Sequence, residues 1–330
     1  MSWIERLAQL YDKTGGDAPL FHEQRRITRV AEIDAHGELI CIRRTDFTAP
    51  IPVTERSAVR TSAIVPHPLA DRADYLSGEN PRKFDAFVGQ LSQWVGSENS
   101  CRELEAVLEC VRRRKIPTDS AGQGVTMFSV DGVPLWNNPK LQALWSRQYF
   151  AGSDPVLCAA TGQVMPSAQL HPKHILPHAP NAKLISCAEG RLPSQRFGSA
   201  GLPIGAQSTL KAHKALSRLI TEAGVMVGSC MFAGFFDSGE YLELKRLFLG
   251  EIPRIPSEGT AVILGISSHC EGRASFSMYR EVRCAELLRA ANTAAKPTFT
   301  IGNAPRISDD SRNARECINW LDAILRGAQN

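Results

Sequence analysis

The sequence predicts an α+β fold in which antiparallel hairpins and a mixed sheet pack with helices, closing on a short C-terminal helix. Three observations predict it. Short stretches rich in β-branched and aromatic residues come in pairs, separated by a few turn-forming residues, the pattern of hairpins. Longer segments between them repeat apolar residues at three- and four-residue spacing, the pattern of amphipathic helices. The two kinds do not alternate regularly, so a wound parallel sheet is excluded and α+β is the class that fits.

At 330 residues and 43% hydrophobic content, the chain has apolar mass for one large domain or two. The division expected is 1–150, an α+β domain with the Pro-His-Pro loop, and 151–330, with a hairpin, a glycine-rich loop and the terminal helix. No run of about 18 apolar residues occurs, so no membrane span is expected. Nine cysteines, an odd number without a C-x-x-C pair, and no export signal read as reduced thiols in the cytoplasm. A net charge of +4 with pI about 8.6 permits nucleic-acid binding but falls short of a dedicated basic domain, which usually exceeds pI ~9.

In chain order, MSWIERLAQLYDK carries two acids and no apolar h-region. It reads as an amphipathic helix with Trp3, Ile4, Leu7 and Leu10 near one face, not as a signal peptide. Arg26–Ile33 and Glu38–Arg44 form a hairpin turning at Asp34–Gly37. Pro81–Val95 and Arg102–Arg114 are helical. The second ends in Arg112, Arg113, Arg114 and Lys115, cations that suit either a helix C-terminus or a phosphate. Val125–Val130 and Val133–Trp136 turn at Asp131-Gly132, a strong hairpin signal. Pro139–Phe150 is a helix, Asp154–Pro172 a hairpin turning at Thr161-Gly162, and Ala206–Thr221 a helix. Val225–Phe236 and Thr260–Ile266 are apolar enough to be buried strands, with a short helix, Tyr241–Phe248, between them. Arg273–Arg280 alternates like a half-exposed strand, and Glu281–Ala294 and Asp310–Leu325 are helices.

One stretch, Ile51–Leu76, is too polar for a core element yet too rich in specific side chains for a linker. Pro52, Pro66 and Pro68 forbid a continuous helix. Between them Thr54, Arg56, Ser57, Arg60, Thr61 and Ser62 offer donors suited to phosphates or base edges, and His67 sits between two prolines. An ordered loop of this length is usually functional. Arg60 either meets nucleic acid, where a guanidinium pairs bidentately with a phosphate or a guanine edge, or pairs with Glu55 or Asp71 and braces the loop.

Other candidates are weaker. Cys158, His171, His174 and His178 lie close in sequence and offer zinc-type donors, but without a C-x-x-C knuckle. Phe197–Gln207 holds Gly-x-x-Gly, which lets a backbone approach a nucleic acid closely. Arg191, Gln195 and Arg196 precede it, and no Gly-Lys-Ser/Thr follows, so it is not a P-loop. There is no Rossmann fingerprint and no Gly-x-Ser-x-Gly elbow. His22, His36 and His213 read as surface residues. Nothing points to an active site, a cofactor or a bound metal.

The Ile51–Leu76 stretch resembles the large subunit of type I-C CRISPR interference complexes (Cascade), a Csd-type Cas protein. There a Pro-x-Thr-Glu-x-Ser-x-x-Arg-Thr-Ser run leads to Pro-His-Pro-Leu-x-Asp and a Tyr. The matching residues are Pro52, Thr54, Glu55, Ser57, Arg60, Thr61, Ser62, Pro66, His67, Pro68, Leu69, Asp71 and Tyr75. Cys158, Thr161, Gly162, Leu170, His171, Pro172 and Lys173 match a second pattern, which the resemblance reads as a structural hairpin leading to a basic loop. Phe197, Gly198, Gly201 and Pro203 match a third, with Leu202 where the family has Asn. Leu264-Gly265-Ile266-Ser267 followed by Arg273 matches a fourth, with Ser268 and His269 in place of Pro-Asn. The resemblance covers roughly residues 1–290 and is densest in the first 220.

The resemblance implies a non-catalytic protein of RNA-guided antiviral defence. Its partners would be crRNA, target double-stranded DNA, the subunit holding the crRNA 5′ handle, the backbone subunits and a helicase–nuclease. It would read the PAM duplex and help open the strands for R-loop formation. The residues expected at nucleic acid are Arg56, Arg60, Thr61, Ser62, His67, Lys173, Arg196, Gln207 and Arg273. Family members are longer and end in a long helical region, so the resemblance implies a compact form. Two alternatives stand beside it: a small metal-dependent, HNH-like nuclease built on Cys158, His171, His174 and His178, and the large subunit of a reduced or type IV-like CRISPR complex.

Overall fold

Ser2 begins the first helix. Its hydroxyl accepts the Glu5 N–H at 3.2 Å, and α1 (Trp3–Thr14) runs until Gly15 breaks it at φ +72°. Ile4, Leu7, Leu10 and Tyr11 form its buried stripe. The structure, a computed structural model, describes residues 2–16, 18–60, 62–117, 124–151, 153–168, 170–185, 203–270, 272–293 and 310–327. The chain forms two compact units, Gly16–Val156, and Met1–Gly15 together with Leu157–Asn330. The first helix belongs with the second of these units, because its apolar stripe packs there.

In the unit Gly16–Val156, β1 (His22–Ile33) and β2 (Leu39–Pro52) pair antiparallel along most of their length. Asp34 makes their turn by accepting the His36 and Glu38 N–H groups at 2.9 and 2.8 Å, and Gly37 supplies φ +78°. The chain continues through α2 (Glu55–Ala58), β3 (Asp71–Arg72), α3 (Ala73–Leu76), α4 (Pro81–Val95) and α5 (Arg102–Arg112). Next come β4 (Val125–Val130), β5 (Val133–Pro134), a 3₁₀ turn at Leu135–Asn137 and α6 (Pro139–Phe150). The sheet order is β2-β1-β4-β3, with β5 also on β4. The β1–β4 pair is parallel and the others are antiparallel, so the sheet is mixed. All six residues of β4 are buried, as befits a strand flanked on both sides and covered on both faces. Ile27, Val30, Ile51, Val53, Val125 and Met127 form one core cluster.

In the other unit, β6 (Pro155–Leu157) and β7 (Val164–Pro166) form a two-stranded ribbon before α7 (Ala206–Ala223). A four-stranded antiparallel meander follows: β8 (Val225–Val227), β9 (Cys230–Phe236), β10 (Thr260–Cys270) and β11 (Arg273–Arg283). Val225–Phe236, expected as one strand, is thus a hairpin, folded at Gly228 with φ +57°. The short helix α8 (Leu244–Phe248), then α9 (Cys284–Thr293) and α10 (Asp310–Gly327) cover one face, closing a core that includes Phe232, Ile263, Met278, Leu287, Cys317 and Leu321. Every residue of β9 is buried, since α1 and α7 pack together over the other face. The molecule is α+β. No helix among the described residues is long and apolar enough to cross a membrane.

Candidate nucleic-acid interface

The Ile51–Leu76 stretch is not the polar surface loop that its composition suggests. Thr54 accepts the Ser57 N–H at 3.0 Å while Ser57 Oγ accepts the Thr54 N–H at 2.9 Å, a reciprocal cap that starts α2. Beyond α2 the chain folds around one carboxylate. Asp71 is fully buried. It accepts Arg60 Nη1 and Nη2 at 2.7 and 2.5 Å, the His67 N–H at 2.8 Å and the Arg72 N–H at 2.8 Å. Arg60 also donates to the Val65 carbonyl at 2.7 Å, and its guanidinium lies 4.8 Å above the Tyr75 ring. A buried carboxylate is tolerable only with such compensation. Arg60 thus pairs with Asp71 rather than with Glu55.

His67 is 3% exposed, with Nδ1 at 3.0 Å from Ser57 Oγ. Burial, reinforced by the nearby charges of Arg60, Arg25 and Arg72, pushes its pKa well below the usual histidine value, so the ring is neutral. Neither Arg60 nor His67 is presented outward. The exposed residues of the stretch are Arg56, Ser62, Ala63 and Ile64; Thr61 lies outside the described residues.

The other expected contacts are scattered through the second unit. Gln207 is exposed in the first turn of α7, Arg273 is exposed at the start of β11, and Lys173 is half-buried. Arg196 lies outside the described residues, as does most of the glycine-rich stretch. The Arg112–Lys115 run is partly neutralised. Arg113 and Lys115 reach Glu38, Arg113 also bonds Glu109, and Arg114 stacks 5.3 Å from the Phe84 ring.

The four zinc-type residues do not converge. Cys158 is buried and accepts the Gly205 N–H at 3.3 Å. His171 is buried with Nδ1 at 2.9 Å from Thr209 Oγ1, while His174 and His178 are exposed. No group of three or more His, Cys, Asp or Glu side chains among the described residues is placed to hold a metal.

Two histidines read as surface residues are interior: His22 at 2% exposure and His213 at 1%. His213 lies on α7 one turn after Thr209. Its Nδ1 contacts the Thr209 carbonyl at 2.7 Å; a carbonyl only accepts, so Nδ1 carries the proton. Thr209 Oγ1 then bridges His171 and His213. Burial lowers both pKa values to about 4. The i, i+4 spacing of Thr209 and His213 was the available signal, and only the packing of α1 over α7 gives it meaning.

A family model described as a CRISPR-associated protein (Cas_Csd1) matches residues 5–293. The chain belongs to the Csd1 family. No curated protein matches it. The Csd1 match takes in the Asp71-centred loop, the Cys158–His171 segment and the meander through β11, so the family pattern spans both units. Membership implies other Cas proteins and nucleic acid as partners in general.

Proposed function

We propose that this Csd1 protein is the large subunit of a type I-C-like, crRNA-guided surveillance complex. In this reading it recognises the PAM duplex beside the target and supports strand opening and R-loop formation, with no catalytic centre of its own. The observation that carries the reading is the family match over residues 5–293. The division of labour makes physical sense: base pairing reads the target, so protein need read only a short duplex motif. That task requires a rigid polar loop with a few outward donors and a modest positive charge. The loop braced on Asp71 offers Arg56 and Ser62 outward, and the chain carries +4. Arg60 and His67 act in this reading by holding the loop. The partners are crRNA, target DNA, the handle-binding subunit, the backbone subunits and a helicase–nuclease, in the cytoplasm.

The test is reconstitution. The chain should co-purify with the crRNA-bound backbone, and the assembly should bind target duplex with a flanking-sequence preference. Absence of both would sink the reading. Arg56→Ala separates two contacts. If Arg56 meets a phosphate, binding weakens about equally for all flanking sequences and the salt slope falls by roughly one unit. If it meets a base, about 1–3 kcal/mol is lost at one flanking position only. Unchanged affinity in both series, with the protein folded, removes Arg56 from the interface. Purified protein should hold no stoichiometric zinc and cut no DNA; one zinc per chain, lost on His171→Ala with His174→Ala, would favour the nuclease reading instead.

A further inference from the structure

The second unit contains an open cleft of about 490 Å³ between the start of α1, the β6–β7 turn and β11. Its size falls in the range of small-ligand sites, roughly 300–1,000 Å³. Trp3 and Phe276 stand in its wall with ring centroids 5.0 Å apart. Both are half-exposed. They are also held in place. Trp3 is fixed by the Ser2 cap of α1 and backed by the buried His213 ring, edge-on at 5.7 Å. Phe276 has the Tyr279 ring edge-on at 6.4 Å. Ala159, Ala160, Ile185 and Ile204 complete an apolar lining, and the described lining contains no acidic residue.

Lys183 and Arg273 directly precede the lining residues Leu184 and Ala274. The segments that line it at Ile185 and Phe276 are joined where Lys183 bridges Arg273 in parallel, the Ala274 N–H donating to the Lys183 carbonyl at 3.0 Å. Arg273 is exposed. A rigid aromatic wall beside paired cations is what an unstacked base on a charged backbone requires, because any base offers a π-face while lysine and arginine hold the phosphates. We propose that this cleft takes a single nucleobase of a single-stranded nucleic acid, stacked on Trp3 and Phe276, with Lys183 and Arg273 on the adjoining phosphates. The proposal deepens the reading above and rests on it.

The test uses the full chain and fluorescently labelled oligonucleotides, one normal and one of equal length with abasic sites. The normal strand should bind roughly tenfold or more tightly than the abasic one. Phe276→Leu, which keeps apolar volume but removes the ring, should erase that difference and leave the salt slope unchanged. Lys183→Ala with Arg273→Ala should lower the salt slope and keep the difference. Equal binding of the two strands by the folded wild-type chain, or no binding of either, overturns the proposal, as does an undiminished preference in folded Phe276→Leu. The same proteins are also tested for co-purification with the crRNA-bound backbone. If wild type assembles yet fails to distinguish the strands, the cleft proposal falls alone. If Phe276→Leu loses assembly while both strands bind equally, the cleft holds a protein side chain instead. Failure of wild type to assemble at all rejects the underlying reading.

Discussion

Asp71 shows how one residue sets the character of a whole segment. A carboxylate with no exposure must collect donors, and it takes them from Arg60, His67 and Arg72. Arg60→Ala would leave that charge without its cation, which costs about 3 kcal/mol or more when a buried pair is broken on one side. The denaturant midpoint of the free protein should fall accordingly, and the Arg60→Ala, Asp71→Asn double variant should recover part of the loss. A purely external role for Arg60 would leave the midpoint unmoved. The buried histidines give a second expectation at this scale. His171 and His213 have folded pKa values of about 4 against roughly 6.5 when unfolded. Between those values the unfolded chain binds protons that the folded chain refuses, so stability is complete above about pH 6.5 and declines as pH falls towards 4. The urea midpoint followed across this window should drop, and His213→Leu should flatten the slope whatever its absolute stability. An equally steep slope in that variant would remove His213 as a source.

At the scale of elements, the β1–β2 turn is pinned to α5. A Cβ at Gly37 would lie 2.6 Å from the Ala106 carbonyl and 2.9 Å from the Cys110 nitrogen. Both are helical backbone atoms that cannot give way singly, and φ is already +78°. Gly37→Ala should therefore cost about 2 kcal/mol or more, read as a lower melting temperature, whereas Gly132→Ala, with open space around it, should bear only the backbone strain. The parallel β1–β4 pair belongs to this scale too. Asp131-Gly132 announces the β4–β5 hairpin locally, but the partner on the other edge of β4 arrives across α4 and α5, and the intervening sequence carries no local mark of it.

For the whole molecule, the chain's own ends matter. α1 begins the sequence but packs on α7, with Trp3 against His213 and Phe276, Lys211 paired to Asp12 and Arg6 bonded to Glu281. Deleting residues 1–15 should expose the apolar face of α7 and speed hydrogen exchange in α7 and β9. Exchange in β1 and β4, in the unit Gly16–Val156, should not change. Uniform acceleration throughout the chain would show that the two units do not fold as separate cooperative bodies.

The sequence by itself determined the class, nearly every helix and hairpin, and the family, because these are written in local periodicity, turn chemistry and a dense run of matched residues between Pro52 and Tyr75. Gly228 split one expected strand because a turn of few residues leaves little mark in an apolar run. Tertiary structure alone decided which polar residues face inward. Arg60, His67, Asp71 and His213 are polar by composition, and composition predicts exposure. Their burial follows from partners that meet only on folding, across the α2–β3 loop and between α1 and α7. The same applies to the cleft: Trp3 and Phe276 lie at opposite ends of the sequence, and no spacing rule connects them. Only the packing of the first helix over β11 brings the two rings within 5.0 Å.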